Sequence, residues 1–254
     1  MSLRRLVLAF VALWPGVLKK PALRLFFGYK IGKRVRLGVT LLDCQTLTIA
    51  DDVCIGHGNV FIQCGEVAIG EHTHIGHLNI FRGGRRMLLG AYTQILRLNV
   101  FNAIPDNDCT NEPDASFETG FGAVITAEHR IDFTDTVSIG RCSILGGRNS
   151  SLWTHNRRSG EPIRIGEHCY IGSEVRFAPG TAIPDRCILG MGSVVTKAHG
   201  ADEAHSLIAG VPARRRRALG PEDDELIFAK TRKDLPDDYL TPAHAQAAAQ
   251  GKKQ

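Results

Sequence analysis

At 254 residues with 43% hydrophobic content, the chain is long enough to bury a full core, and one domain with appendages is the simplest organisation. A formal charge of +5 comes without the interleaved aromatic and basic pattern of nucleic-acid modules, which argues against nucleic acid and for anionic lipid or small anionic ligands. Seven cysteines, odd in number and without a Cys-x-x-Cys pair, argue against a disulfide or zinc framework and fit reduced cytoplasmic thiols packed as small apolar residues.

Residues 1–30 form a basic amphipathic segment with no acid in it. Its apolar run, Leu6 to Leu18, is too short for a bilayer that needs about 20 residues, and Lys19-Lys20-Pro21 is no cleavage site. Three uses of a short helix here stay open: an end cap shielding the first repeat of the chain, packing between subunits, or an interfacial helix held on anionic headgroups by apolar burial and by its lysines and arginines.

A repeat begins near Ile31-Gly32 and Leu37-Gly38. It then recurs every 20 residues: Ile49, Ile69 and Leu89 align, with Ile55, Ile75 and Ile95 six further on and Phe61, Phe81 and Phe101 twelve further on. Asn59, Asn79 and Asn99 share one position, which predicts a ladder of side-chain amides bonding from coil to coil. The residues beyond three hexads should bulge at one corner, around Gly65 and Gly83-Gly84. From Pro105 to Glu118 the register lapses into loop chemistry, either a surface insertion or an arm over a bound acceptor. The repeat resumes at Ile125, with heads at Ile131, Val137 or Ile139, and Leu145, and breaks again from Asn156 to Pro162.

From Ile163 to Lys197 the period is six, headed by Ile165, Ile171, Phe177, Ile183, Leu189 and Val195. Six residues at helical pitch turn the chain by roughly 600° and scatter the heads, whereas an even spacing keeps them on one face of extended chain. Each block is thus a short strand and a turn, and three blocks close one coil of an all-β solenoid. The solenoid domain spans 31–217; in 218–254, Glu222 to Lys233 suits a short helix, and the Ala- and Gln-rich end with Lys252-Lys253 suits disorder.

The run Ile165-Gly166-Glu167-His168-Cys169-Tyr170-Ile171-Gly172, with Ala178-Pro179-Gly180, Leu189-Gly190-Met191-Gly192-Ser193-Val194-Val195-Thr196-Lys197 and Ala209-Gly210-Val211-Pro212-Ala213-Arg214, resembles the hexapeptide-repeat acyltransferases, in particular those that O-acetylate sugars and surface polysaccharides. The resemblance implies a left-handed parallel β-helix, a homotrimer, acetyl-CoA as donor, and a sugar or glycan acceptor in polysaccharide biosynthesis; no metal is expected, for want of a convergent set of ligands. It also implies that His155, in Trp153-Thr154-His155, is the general base for direct transfer without an acyl-enzyme. A histidine suits that task because its unperturbed pKa near 6.5 leaves it neutral and basic at physiological pH.

His129 and Asp132 are further catalytic candidates. His129 precedes Ile139-Gly140 by as many residues as His155 precedes Ile165-Gly166, so the two should occupy equivalent corners of neighbouring coils, with Asp132 or Glu128 orienting an imidazole. Donor binding falls to Ala178, Gly190, Gly192 and Ser193, small enough for a pantetheine arm to lie flat, with Thr196, Lys197 and Arg214 toward the phosphates. Val211 stands where the family commonly has asparagine. Two competing functions use the same fold: a γ-class carbonic anhydrase-like zinc enzyme, invited by His57 and His77 but missing histidines at Ile62 and Arg82, and a noncatalytic scaffold. The localisation expected is cytoplasmic, with peripheral residence on the inner face of the cell membrane if the first segment is interfacial.

Overall fold

Apolar heads at a fixed even spacing leave a chain one way to bury them, by stacking coil on coil. The computed structural model, which describes residues 2–104, 114–156, 160–223 and 235–236, is a parallel β-solenoid of about eight turns. The predicted columns are those observed: Ile49 pairs with Ile69 and Ile69 with Leu89, Ile55 with Ile75 and Ile95, and Phe61 with Phe81 and Phe101. The phenylalanine rings stack at centroid distances of 4.2 and 4.7 Å. Two faces join through the long strands Thr40–Ile49 and Asn59–Ile69 into a fourteen-stranded sheet, and the third face is a ten-stranded sheet. Of the two alternatives Val137 and Ile139, both are buried, and Ile139 stands in the column with Ile165.

The coils with the longer period take up their additional residues at one corner. Gly83 and Gly84 there have φ of +71° and +81°, and a Cβ on Gly84 would sit 2.2 Å from the Phe133 ring, so glycine is required twice over. The ladder forms as predicted. Asn79 donates from its backbone N–H and from its amide to Asn59 Oδ1, each at 3.0 Å, and Asn99 does the same to Asn79 Oδ1 at 3.0 and 3.1 Å.

The first segment forms two helices rather than one: α1, Leu3–Ala12, and α2, Gly16–Phe27. The break falls at Pro15, whose ring disfavours helical backbone in the residue before it. Together they cap the first coil. Leu8, Val11 and Leu23 pack on the solenoid, while Lys19 Nζ donates to the Gly38 carbonyl (2.7 Å), Lys20 Nζ to that of Val35 (3.1 Å) and Arg24 to those of Ile31 and Gly32. Arg4 and Arg5 both pair with Asp43. The cations expected against headgroups on α2 are therefore used on the protein's own carbonyls, because a parallel coil at the end of a stack leaves carbonyls without a strand to bond. No described helix is long and apolar enough to cross a membrane.

At the other end, Arg214–Ala218 pairs antiparallel with Ser206–Ala209 and closes the ten-stranded sheet. The chain divides into Met1–Ala218 and Leu219–Gln254. Of the second unit only 219–223 and 235–236 are described, so the expected helix Glu222–Lys233 and the Lys252-Lys253 tail lie outside the described residues, as do 105–113 and 157–159 of the two irregular stretches. Cys44, Cys64, Cys169 and Cys187 are free and buried, and desolvation pushes the Cys169 thiol up to about 12, consistent with inert packing.

Candidate active site

Strand Ser151–Trp153 lies beside strand Arg130–Asp132, with Asp132 opposite Trp153. Alternation along the extended chain turns Leu152 and Thr154 inward and Trp153 and His155 outward, so both outward side chains are exposed on one face. His155 thus presents its imidazole to solvent from a backbone that is firmly held. Asp132 Oδ1 accepts from the His155 N–H (3.1 Å), the Thr154 hydroxyl (3.0 Å) and the Thr134 N–H (3.2 Å). Its other oxygen, Oδ2, is buried with no hydrogen-bond partner among the described residues.

The turn after His155 is tied down by a second buried carboxylate. Asp135 accepts from Glu161 N–H through Oδ2 (2.8 Å) and from Thr136 N–H through Oδ1 (2.6 Å), and its own N–H donates to Thr154 Oγ1 (2.9 Å). Asn156 Nδ2 donates to Glu161 Oε2 at 2.5 Å. Asp135 and Glu161 were not singled out in the sequence, and Thr154 only as part of Trp153-Thr154-His155. The signal available was the pair of acids Asp132-x-x-Asp135 among threonines at a strand end, a composition suited to accepting backbone N–H bonds at a turn.

His129 does not stand at the corner equivalent to that of His155. Arg130 is opposite Ser151, so the counterpart of His129 is Ser150. The loop lengths between coils, which the sequence spacing ignored, set this register. His129 is the next rung of the asparagine ladder. Its N–H donates to Asn99 Oδ1 (2.9 Å), its Nδ1 accepts from Ser150 N–H (3.1 Å), and its Nε2 lies 3.0 Å from Thr126 Oγ1. With Nδ1 accepting, the ring is the neutral Nε2–H tautomer donating to the threonine. Burial lowers its pKa to about 4. Asp132, likewise, holds the backbone of His155 and not an imidazole.

The residues expected at the donor form two groups on either side of the corner Gly190–Ser193. Gly190 adjoins Ala209, which is opposite Arg214, so these three line up across adjacent chain segments. Ala178 accompanies Thr196 on the face that carries Trp153: its N–H donates to the Val195 carbonyl, and Leu152 is opposite Phe177. Lys197 and Arg214 are exposed, and Gly192 has φ of +69° with open space over it. Ser193 is buried, its hydroxyl donating to Gly190 O (2.6 Å) and accepting from Gly210 N–H (3.1 Å), so it shapes the corner. Among the described residues no three His, Cys, Asp or Glu side chains converge as metal ligands, and His57, His72, His74 and His77 are exposed.

A family model described as the hexapeptide repeat of succinyl-transferase matches residues 162–197. The galactoside O-acetyltransferase of Escherichia coli (strain K12) is 31% identical over 118 residues, 44% of this chain and 56% of that protein, so the chain spans about half the length of the curated relative it matches. A solved galactoside acetyltransferase in complex with coenzyme A is 25% identical, covering 55% of this chain and 68% of that one, with a TM-score of 0.39. A hexapeptide-repeat acetyltransferase from Vibrio cholerae O1 biovar eltor, complexed with acetyl coenzyme A, is 18% identical over 60% of this chain and 70% of that one, with a TM-score of 0.40.

Proposed function

We infer that this chain, which belongs to the hexapeptide-repeat acyltransferases, moves an acetyl group from acetyl-CoA to a hydroxyl of a sugar or glycan. The curated relative is a galactoside O-acetyltransferase, and that likeness supports the reaction class. The observation that carries the residue assignment is His155: an exposed imidazole at the end of a strand, on a backbone fixed by a buried carboxylate. A general base must be near the attacking hydroxyl and held there, and this arrangement supplies the holding without engaging the ring.

In the reaction so proposed, His155 takes the proton as the acceptor oxygen attacks the thioester carbonyl. The tetrahedral intermediate collapses by breaking the carbon–sulfur bond, and the departing thiolate receives the proton back from the imidazolium. No acyl-enzyme forms, so both substrates must be bound together. The pantetheine arm would run over Ala178, Gly190 and Gly192, with Thr196, Lys197 and Arg214 toward the nucleotide phosphates, in a groove completed by a neighbouring subunit of a homotrimer. The same reading has the enzyme in surface-polysaccharide synthesis, cytoplasmic and peripheral to the inner face of the cell membrane.

The test is an initial-rate study with acetyl-CoA and a panel of sugar acceptors, alongside calorimetric titrations with acetyl-CoA and zinc. Intersecting rate patterns and acetyl-CoA binding are expected. His155→Ala should lower turnover by about 10² to 10⁴ while leaving the acetyl-CoA affinity in place. Turnover unchanged in that variant removes His155 from the mechanism; parallel rate patterns remove direct transfer; zinc uptake without acetyl-CoA binding removes the acyltransferase reading.

A further inference from the structure

The N-terminal cap carries apolar side chains on its outer face as well as on the face it buries. A surface helix ordinarily buries an apolar stripe and shows water its polar side. α2 departs from this: beside Ala22 and Leu23 it buries Lys19 against the solenoid, with the ammonium on the Gly38 carbonyl, while Val17, Leu18, Leu25 and Phe26 are exposed, Leu25 by 78%. α1 is apolar on both sides. Leu8, Val11 and Ala12 face the solenoid, and Leu3, Leu6, Val7 and Phe10, spaced as one helical face, are turned outward. Contiguous exposed apolar area of this kind marks a surface that another phase or molecule covers.

The surrounding charge identifies which. The chain carries no carboxylate before Asp43, Asp43 is already paired with Arg4 and Arg5, and on the next coil Asp52 is paired with Arg34 while Asp51 accepts from the Lys33 N–H. Lys30, Lys33 and Arg36, just beyond α2, are exposed. A second copy docking through the same face would bring this cationic rim against itself, since a two-fold contact pairs a patch with its own like. Anionic headgroups complement it. Helices of 10 and 12 residues lie in an interface and do not cross it.

We propose that the outward face of α1 and α2 docks on a lipid bilayer, seating Leu3, Leu6, Phe10, Leu25 and Phe26 at the boundary of headgroups and acyl chains. This deepens the peripheral-membrane part of the reading above and rests on it. Because Lys19, Lys20 and Arg24 are committed to the first coil's carbonyls, apolar burial does the anchoring. The rim cations add a preference for anionic lipid, and only that increment is screened by salt.

The experiment is co-sedimentation of the full chain with phosphatidylcholine vesicles, and with vesicles that also contain phosphatidylglycerol, at low and high salt. The wild type should sediment with both, more with the anionic vesicles, and high salt should remove only the excess. Phe10→Ser/Leu25→Ser should lower partitioning to both by at least about tenfold, with thermal unfolding and acetyl transfer to a soluble acceptor unchanged. Lys30→Gln/Lys33→Gln/Arg36→Gln should lose only the anionic excess. Absence of wild-type binding to either vesicle, or binding indifferent to the Phe10/Leu25 pair, overturns the proposal. So does a smaller assembly of that variant in vesicle-free solution with vesicle binding intact, which assigns the face to a second copy. Vesicle binding and acetyl transfer are separate readouts, so the failure of one is not mistaken for failure of the other.

Discussion

At His155, what matters is the division of labour between ring and backbone. Asp132 contributes one acceptor oxygen to three donors and leaves the other without a partner among the described residues, so its role as a positioning residue needs an acceptor there, not a charge. Asp132→Asn keeps an oxygen at Oδ1 and should retain turnover within about threefold, whereas Asp132→Ala strands buried donors and should lose both turnover and stability, by about 1–3 kcal/mol for the latter. If Asp132→Asn loses turnover as fully as Asp132→Ala, the carboxylate charge acts on the imidazole after all. His129 carries a different prediction. Its folded pKa of about 4 lies below the unfolded value of 6.5, so between those values the unfolded chain binds more protons and stability rises with pH. The contribution is complete above about 6.5, is lost as the pH falls toward 4, and is on the order of 3 kcal/mol. His129→Asn continues the ladder chemistry with a group that does not titrate. Denaturant midpoints for that variant should vary less with pH over this window, and its turnover should be near that of the wild type.

At the level of coils, the heads were legible because an even spacing constrains one strand at a time. Ile55, Ile75 and Ile95 needed nothing beyond their own positions to be placed in one column. The ladder Asn59, Asn79, Asn99 was legible for the same reason, since successive coils there have equal length. Its extension to His129 was not, because an insertion intervenes between Asn99 and His129 and the two are joined only by register in three dimensions. The ties around His155 share that property: Asp132, Asp135 and Thr154 meet across coils whose loops differ in length. Asn79→Ala should show how much the ladder stabilises. It leaves the Asn99 backbone N–H buried without its acceptor and should cost about 2–4 kcal/mol in urea unfolding, against little for an exposed residue of the same coil. A cost below about 0.5 kcal/mol would mean that neighbouring coils close over the gap.

Across the whole solenoid, the residues proposed for the donor are divided by a corner: Gly190 and Arg214 on one side, Ala178 and Thr196 on the other. A ligand that wraps this corner, or one that meets each group on a different subunit, satisfies both. The homotrimer belongs to the second of these, and light scattering of the purified chain checks it, with a monomer as the outcome that disfavours a shared groove. The cap and the last strand have a consequence of another kind. A stack of parallel coils is a sheet that would go on accepting further strands at either end, which is how fibrils elongate. Here the lysines of α2 occupy the carbonyls at one end, and at the other the final strand runs antiparallel and bears Arg214, Arg215, Arg216 and Arg217. The first end is blocked by ammonium groups, and at the other the ten-stranded sheet is blocked by repulsion between guanidinium groups. Removal of residues 1–28 uncovers the first and should convert a clear solution into sedimentable, thioflavin-binding material, with the intact chain remaining dispersed under the same conditions.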